Sequence, residues 1–150
     1  MKPSIQRRHL LLLAGGSLLA AGTGLAQSGD EVVVLVNGRN PTQSLNKTEL
    51  AKLFLGQTAF WHGVVPVKLF IRPDSSKSAQ AFYSPVLGMT PQAFCKHWDE
   101  IQLAGKGVAP KSCDGVDELV QNISKAPGGV GFALTSEMWQ VNGVKVITLK

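Results

Sequence analysis

Seven consecutive residues, Arg72-Pro73-Asp74-Ser75-Ser76-Lys77-Ser78, gather a guanidinium, an ammonium and three hydroxyls around a single carboxylate. That mixture suits holding an anion better than breaking a bond. An arginine fork gives planar, bidentate contact to an oxyanion, and serine hydroxyls add donors. A helix starting here would add unpaired backbone N–H groups and about half a positive charge. Arg72 is expected to be the main charge, Ser75, Ser76 and Ser78 the donors, and Asp74 the only local acid, orienting Arg72 or capping the helix. The same residues admit a plainer reading, in which Asp74 or Ser75 caps a helix and Arg72 is a solvated surface charge.

Other chemistry-bearing residues form weaker patterns. Gly105-Lys106-Gly107 lacks the frame of a nucleotide loop, so it reads as a turn, with Lys106 bordering the ligand as the lesser alternative. A metal set of Cys95, His97, His62 and Cys113 can be written down, but C-x-H lacks finger spacing, and neither a metal nor a cofactor is expected. His97, beside Trp98, reads as structural. No nucleophile and base can be paired, so no enzyme is expected. Trp61, Trp98 and Trp139 read as core or rim aromatics, and the scattered charges give no nucleic-acid stripe.

The elements that must position the Arg72 turn can be read from periodicity. Val32 to Val36 is a β-branched run suited to a strand buried on both faces, closed by Asn37-Gly38. Asn46 and Glu49 form a capping box, with Leu45 and Leu50 at staple positions and Gly56 as the stop. Val65 to Ile71 is a second strand, entered through Pro66, and it delivers the chain to Arg72. The helix that follows should carry Ala79, Phe82 and Val86 on one face and be distorted by Pro85 before Gly88. Thr90-Pro91 opens a helix with Phe94, Trp98 and Ile101 as its seam, and Asp114 opens another with Val116, Leu119, Val120 and Ile123 inward. Strands follow at Val130 to Ala133 and Val144 to Leu149, around a short helical turn. This alternation predicts an α/β fold with βαβ crossovers and a small, largely parallel sheet flanked by helices. Ligands of such sheets lie at the carboxyl ends of strands, where the Arg72 turn falls.

Residues 1–26 read as a secretory signal: Lys2, Arg7 and Arg8, an apolar run from Leu10 to Ala21, then Gly24-Leu25-Ala26 as a cleavage site. The apolar run is shorter than the ~20 residues of a spanning helix. Arg7-Arg8 leaves the Sec and twin-arginine routes both open, and no Cys follows for lipid attachment. Three of the fifteen basic residues and none of the ten acids lie in that segment, leaving a net charge of +2 on residues 27–150. These form one domain, expected in the periplasm. In that oxidising setting Cys95 and Cys113 are expected to form a disulfide.

The order V-V-V-L-V-N, S-L-N-K-T-E-L-A-K-L-F-L-G-Q with Trp61, R-P-D-S-S-K-S-A-Q-A-F, A-G-K-G and P-G-G-V-G-F resembles the periplasmic phosphate-binding component of ABC transporters. More closely, it resembles the short, stand-alone members of that binding-protein-like superfamily, from about Val32 to Leu149. The resemblance implies one lobe of a type II periplasmic-binding-protein-like fold. It places Arg72 on the family's anion-binding Arg, Ser76 on its Ser and Ser78 on its Thr. Lys77 stands where the family has Gly, and its side chain either obstructs the anion or adds charge. The family segment that supplies donors from the opposite lobe has no counterpart here. A small oxyanion, phosphate above others, is therefore the expected ligand, with an ABC permease or an envelope sensor as partner. A second copy or another protein would supply the opposing wall. The alternative is a single-lobe interaction module of the cell envelope with a vestigial anion loop.

Overall fold

The computed structural model describes residues 29–139 and 141–150, so the expected signal segment lies outside the described residues. In chain order the elements are β1 (Val32–Asn37), β2 (Ser44–Leu45), α1 (Lys47–Phe54), β3 (Phe60–Trp61), β4 (Val65–Pro66), β5 (Lys68–Ile71) and α2 (Lys77–Phe82). A π-helical turn (Tyr83–Leu87) leads to α3 (Pro91–Leu103), β6 (Lys111–Ser112), α4 (Val116–Lys125), β7 (Gly129–Leu134), a 3-10 turn (Thr135–Glu137) and β8 (Val144–Leu149). One six-stranded sheet has the order β2-β8-β1-β7-β5-β6, and β3 and β4 form a separate hairpin. The fold is α/β, and five of the six strands run the same way, as the pairings of β2 with β8 and of β5 with β7 and β6 require.

β1 is the exception: it runs antiparallel to both β7 and β8, between them. Alternation of strands and helices implies crossovers but does not say which strands become neighbours. Here β7 comes between β1 and β5, so the first crossover spans a position rather than joining adjacent strands.

The sheet is covered on both faces because its strands are apolar on both. Val34 and Val36 of β1, Leu69 of β5 and Phe132 of β7 face a core closed by α1, α2 and α3. Leu35, Phe70 and Ala133 face the opposite core, closed by Val116, Leu119 and Ile123 of α4. On the larger side Phe82 stacks on Phe132, with ring centroids 3.9 Å apart, and Phe54 meets Phe82 edge-on at 4.8 Å.

Local sequence signals set several boundaries, although the strand expected over Val65 to Ile71 is split: Val65–Pro66 pairs with β3 in the hairpin and Lys68–Ile71 joins the sheet. Asn46 Oδ1 accepts the Glu49 N–H and Glu49 Oε2 accepts the Asn46 N–H, both at 2.8 Å, and Gly56 follows α1 at φ 72°. Thr90 caps α3, with Pro91 in its first turn. Pro85 sits inside the π-helical turn, the distortion expected of a ring that cannot donate an N–H. α4 starts one residue beyond Gly115 with no side-chain cap; Glu118 Oε2 instead reaches back to the Asp114 N–H at 3.0 Å.

The P-G-G-V-G-F stretch is explained by two close approaches. A Cβ at Gly128 would lie 1.7 Å from the Pro66 carbonyl oxygen, and the Gly128 carbonyl accepts both the Lys68 N–H at 2.9 Å and Trp61 Nε1–H at 3.1 Å. A Cβ at Gly131 would lie 2.9 Å from the ends of both Leu119 and Ile123, so α4 can rest on β7 only where β7 has no side chain. In the last turn of α4, Asn37 Nδ2 donates to the carbonyls of Ile123 and Ser124, each at 2.9 Å.

One core group is out of keeping. Tyr83 is 1% exposed, and among the described residues its hydroxyl has no hydrogen-bond partner; burial, helped by the charge of Asp74, pushes the phenol well above its ordinary value of 10.0. Leaving a buried hydroxyl unpaired costs ~1–3 kcal/mol. Tyr83→Phe should therefore raise the melting temperature, by roughly 2–8 °C for a domain of this size; scanning calorimetry of the two proteins checks it, and a fall would mean that the hydroxyl contributes a bond.

Candidate functional site

β5 hands the chain to Arg72 at the carboxyl end of the sheet, between the ends of its two parallel neighbours. The residue is 6% exposed, not a solvated charge. Its guanidinium is held on three sides. Nη1 donates to the Cys113 carbonyl at 3.2 Å, just past β6; Nε donates to Ser78 Oγ at 3.4 Å, in α2; and Nη2 lies 3.5 Å from Glu137 Oε1, just past β7. The other carboxylate oxygen of Glu137 accepts the Leu134 N–H at 2.9 Å, which fixes the carboxylate in front of the fork.

The helix cap falls on Ser76, not on Asp74 or Ser75. Ser76 Oγ accepts the Ala79 N–H at 3.1 Å and lies 3.3 Å from Ser78 Oγ, and Ser78 is fully buried. The structure thus brings Arg72, Ser76 and Ser78 into one bonded cluster, at the spacing the resemblance implies. Asp74, Ser75 and Lys77 are exposed and make no hydrogen bond to the cluster. Lys106, also exposed, lines a separate cavity together with Lys68 and Lys111.

Sequence reading missed Glu137. It lies 65 positions from Arg72, and only the adjacency of β5 and β7 makes the two meet. The available signal was a carboxylate three residues beyond a buried strand, at the same sheet end as Arg72. Beside it, Asp30 accepts hydrogen bonds from the backbone N–H and the hydroxyl of Ser136. The hydroxyl bond, then the backbone bond and, more weakly, the charge of Lys77 hold the Asp30 carboxyl below its ordinary 3.8, against a small opposing effect of burial. The turn after β7 therefore brings two carboxylates to the rim where sequence reading placed only Asp74.

The disulfide expected between Cys95 and Cys113 is not formed; both thiols are free. The two residues belong to opposite sides of the sheet. Cys95 is exposed on α3, which packs through Phe94 and Trp98 into the core of one face, while Cys113 is wholly buried in the core of the other. Burial raises the Cys113 thiol above its ordinary value, opposed by a 3.4 Å hydrogen bond from Asn122 Nδ2. Burial and the charges of Asp74 and Asp99 raise Cys95 too. The four residues weighed as a metal set are likewise dispersed: His97 Nε2 bonds the Leu55 carbonyl at 2.8 Å, and His62 Nε2 lies 3.3 Å from Thr42 Oγ1. Among the described residues no three His, Cys, Asp or Glu side chains gather, and no helix is long and apolar enough to cross a membrane.

In chemical terms, the site offers a fixed guanidinium and two hydroxyls to an oxyanion, and at present the Glu137 carboxylate takes one side of the fork. No family model matches the chain, and no curated protein is similar to it in sequence. Solved structures do share its fold. A putative phosphate ABC transporter substrate-binding protein with bound phosphate, from Clostridium perfringens, aligns over 80% of this chain and 45% of its own, at 15% identity and a TM-score of 0.63. PstS from Borrelia burgdorferi aligns over 81% and 47%, at 13% identity and 0.63. An ABC-type phosphate transport receptor from Vibrio cholerae aligns over 80% and 46%, at 18% identity and 0.59. The chain spans less than half the length of each, a single-lobe counterpart of their periplasmic-binding-protein-like fold.

Two outcomes follow from this geometry. Thiol titration should find one slowly reacting group in the native protein, Cys95, and two after unfolding without reductant; none after unfolding would restore the disulfide. Because the Asp30 pKa is depressed by folding, its contribution to stability is present above the ordinary value of 3.8 and lost as pH falls below it. Asp30→Asn should remove that part of the acid sensitivity, read as a flatter dependence of melting temperature on pH between 5 and 2.

Proposed function

We propose that residues 27–150 form an exported, non-catalytic binding protein that captures a small oxyanion, phosphate above others, at the turn after β5. One observation carries the reading: Arg72, Ser76 and Ser78 converge at the carboxyl end of a parallel strand, in a lobe of the fold that phosphate receptors use. Arg72 supplies the charge and the planar fork, and the two hydroxyls supply donors. Binding requires the ligand to replace the Glu137 carboxylate at Nη2, so Glu137 sets a threshold that weak or singly charged anions do not pass. A single lobe encloses its ligand from one side, so a second copy or another envelope protein provides the opposing wall. Delivery to an ABC permease or an envelope sensor is the role that fits.

A second reading is an interaction module of the envelope whose anion loop is vestigial. What favours it is the state of Arg72 itself, 6% exposed and with its fork shared among a carboxylate, a hydroxyl and a carbonyl. Such a group is already satisfied.

Calorimetry with phosphate and sulfate separates the two. A hydrogen bond to a charged group is worth ~1.5–3 kcal/mol, so Arg72→Lys, which keeps charge and loses the fork, should weaken phosphate binding at least about tenfold. Ser78→Ala should cost less, and Glu137→Gln should tighten binding by removing the competing charge. Each variant is paired with a melting curve, because breaking a buried ion pair also destabilises. Equal affinities throughout, or no binding by any of the proteins, remove the loop from the function and leave the interaction module.

A further inference from the structure

A cavity of about 530 Å³ shares no lining residue with the Arg72 turn. It opens between the carboxyl-terminal half of α3, the loop that leads to β6, and the β5 side of the sheet. Its walls are largely apolar: Trp98 and Ile101 from α3, Leu69 of β5 with Val67 just before it, and Ala109 from the loop. Trp98 Nε1–H is committed to the Phe54 carbonyl at 3.0 Å, so the indole offers the cavity no free donor. Val108, 85% exposed, also lines it.

Every charged residue in this lining is a lysine: Lys68, Lys106 and Lys111. Lys111 is shared with Glu118 at 3.7 Å and Asn122 at 3.4 Å. Among the described residues Lys68 and Lys106 have no carboxylate within ion-pair distance. Lys111 is thus held on the α4 face of the sheet, where strand alternation also puts Lys68 beside Phe70, so Lys106 is the ammonium on the α3 side of the hollow, and an anion pairs it. The walls gain only if apolar surface covers them. A bare inorganic anion would leave the walls wet, a neutral apolar molecule would leave the Lys106 ammonium unpaired, and a nucleotide would find few polar groups to fix its base or sugar. The volume lies in the range of small-molecule sites.

We propose that this cavity binds a free, monomeric carboxylate with an apolar tail, of the medium-chain fatty-acid class. The tail lies against Trp98, Ile101 and Leu69, and the carboxylate meets Lys106, whose methylene stem extends the apolar wall. This site is independent of the oxyanion turn, and its ligand is recognised by burial first and charge second.

The test is calorimetry of the protein with octanoate, decanoate and dodecanoate, each below its micelle concentration. Affinity should rise about three- to fourfold for each added methylene until the cavity is filled. Decanoate should bind at least fivefold more tightly than decanol or decyltrimethylammonium. Lys106→Glu, a change at an exposed loop residue, should weaken decanoate at least fivefold while the melting temperature holds. Saturating phosphate should leave decanoate affinity unchanged. Absence of saturable binding, indifference to chain length or to the sign of the head group, or an unaffected Lys106→Glu would overturn the proposal. So would competition by phosphate, which would assign the carboxylate to the Arg72 turn, and so would binding confined to anionic phospholipid vesicles.

Discussion

A guanidinium buried at the ends of three adjacent strands cannot stand alone, because desolvating a charge without a partner costs several kcal/mol. Arg72 is therefore the point at which separate parts of the chain must agree. β6 must bring the Cys113 carbonyl, β7 must end so that its turn presents Glu137, and α2 must begin where Ser78 can accept from Nε. Four elements from three regions of sequence meet on one side chain. That the cluster is also the best candidate for ligand binding follows from the same requirement. The partners that make burial of the charge tolerable mark the positions where an incoming oxyanion would find its donors.

The remainder of the sheet is organised around β7, all six residues of which are buried. A strand covered on both faces and paired on both edges leaves little room for its neighbours to shift. Gly131 within it and Gly128 just before it are the places where other parts of the chain come closest. At Gly131 α4 rests on bare backbone, and at Gly128 the backbone approaches Pro66 too tightly for any side chain. The direction in which β7 emerges is fixed by these contacts, and with it the position of Glu137 three residues beyond.

Much of this was readable locally. The Asn46 capping box, the Thr90-Pro91 start of α3 and the inward stripe of α4 are written in residues a few positions apart, and the structure contains them. The pairing of Arg72 with Ser76 and Ser78 was legible for the same reason, since all three lie on one turn. What sequence reading could not supply depends on pairing at long range. The reversed direction of β1, the meeting of Arg72 with Glu137 and the separation of Cys95 from Cys113 across the sheet are all decided by strand order. The expectation of an oxidising compartment argues for a disulfide but carries no information about which face each cysteine occupies. The shift of the cap from Asp74 or Ser75 to Ser76 is a different kind of miss: three adjacent residues could each cap, and the depth to which Ser78 is buried selects among them.

β1, the first element of the described chain, lies inside the sheet with β7 on one edge and β8 on the other. Its partners are distant: Val32 pairs with Leu134, and Val34 with Ile147. During synthesis this apolar strand has neither neighbour until β7 and β8 have been made, so the centre of the sheet is assembled after the elements that precede them. Contacts of such sequence separation close slowly, because the entropy of the intervening loop is lost before the pairing is gained. A chain built in this way stays open while it is being made. The same arrangement leaves β1 exposed meanwhile, a β-branched segment that can pair wrongly with other chains until β7 and β8 arrive.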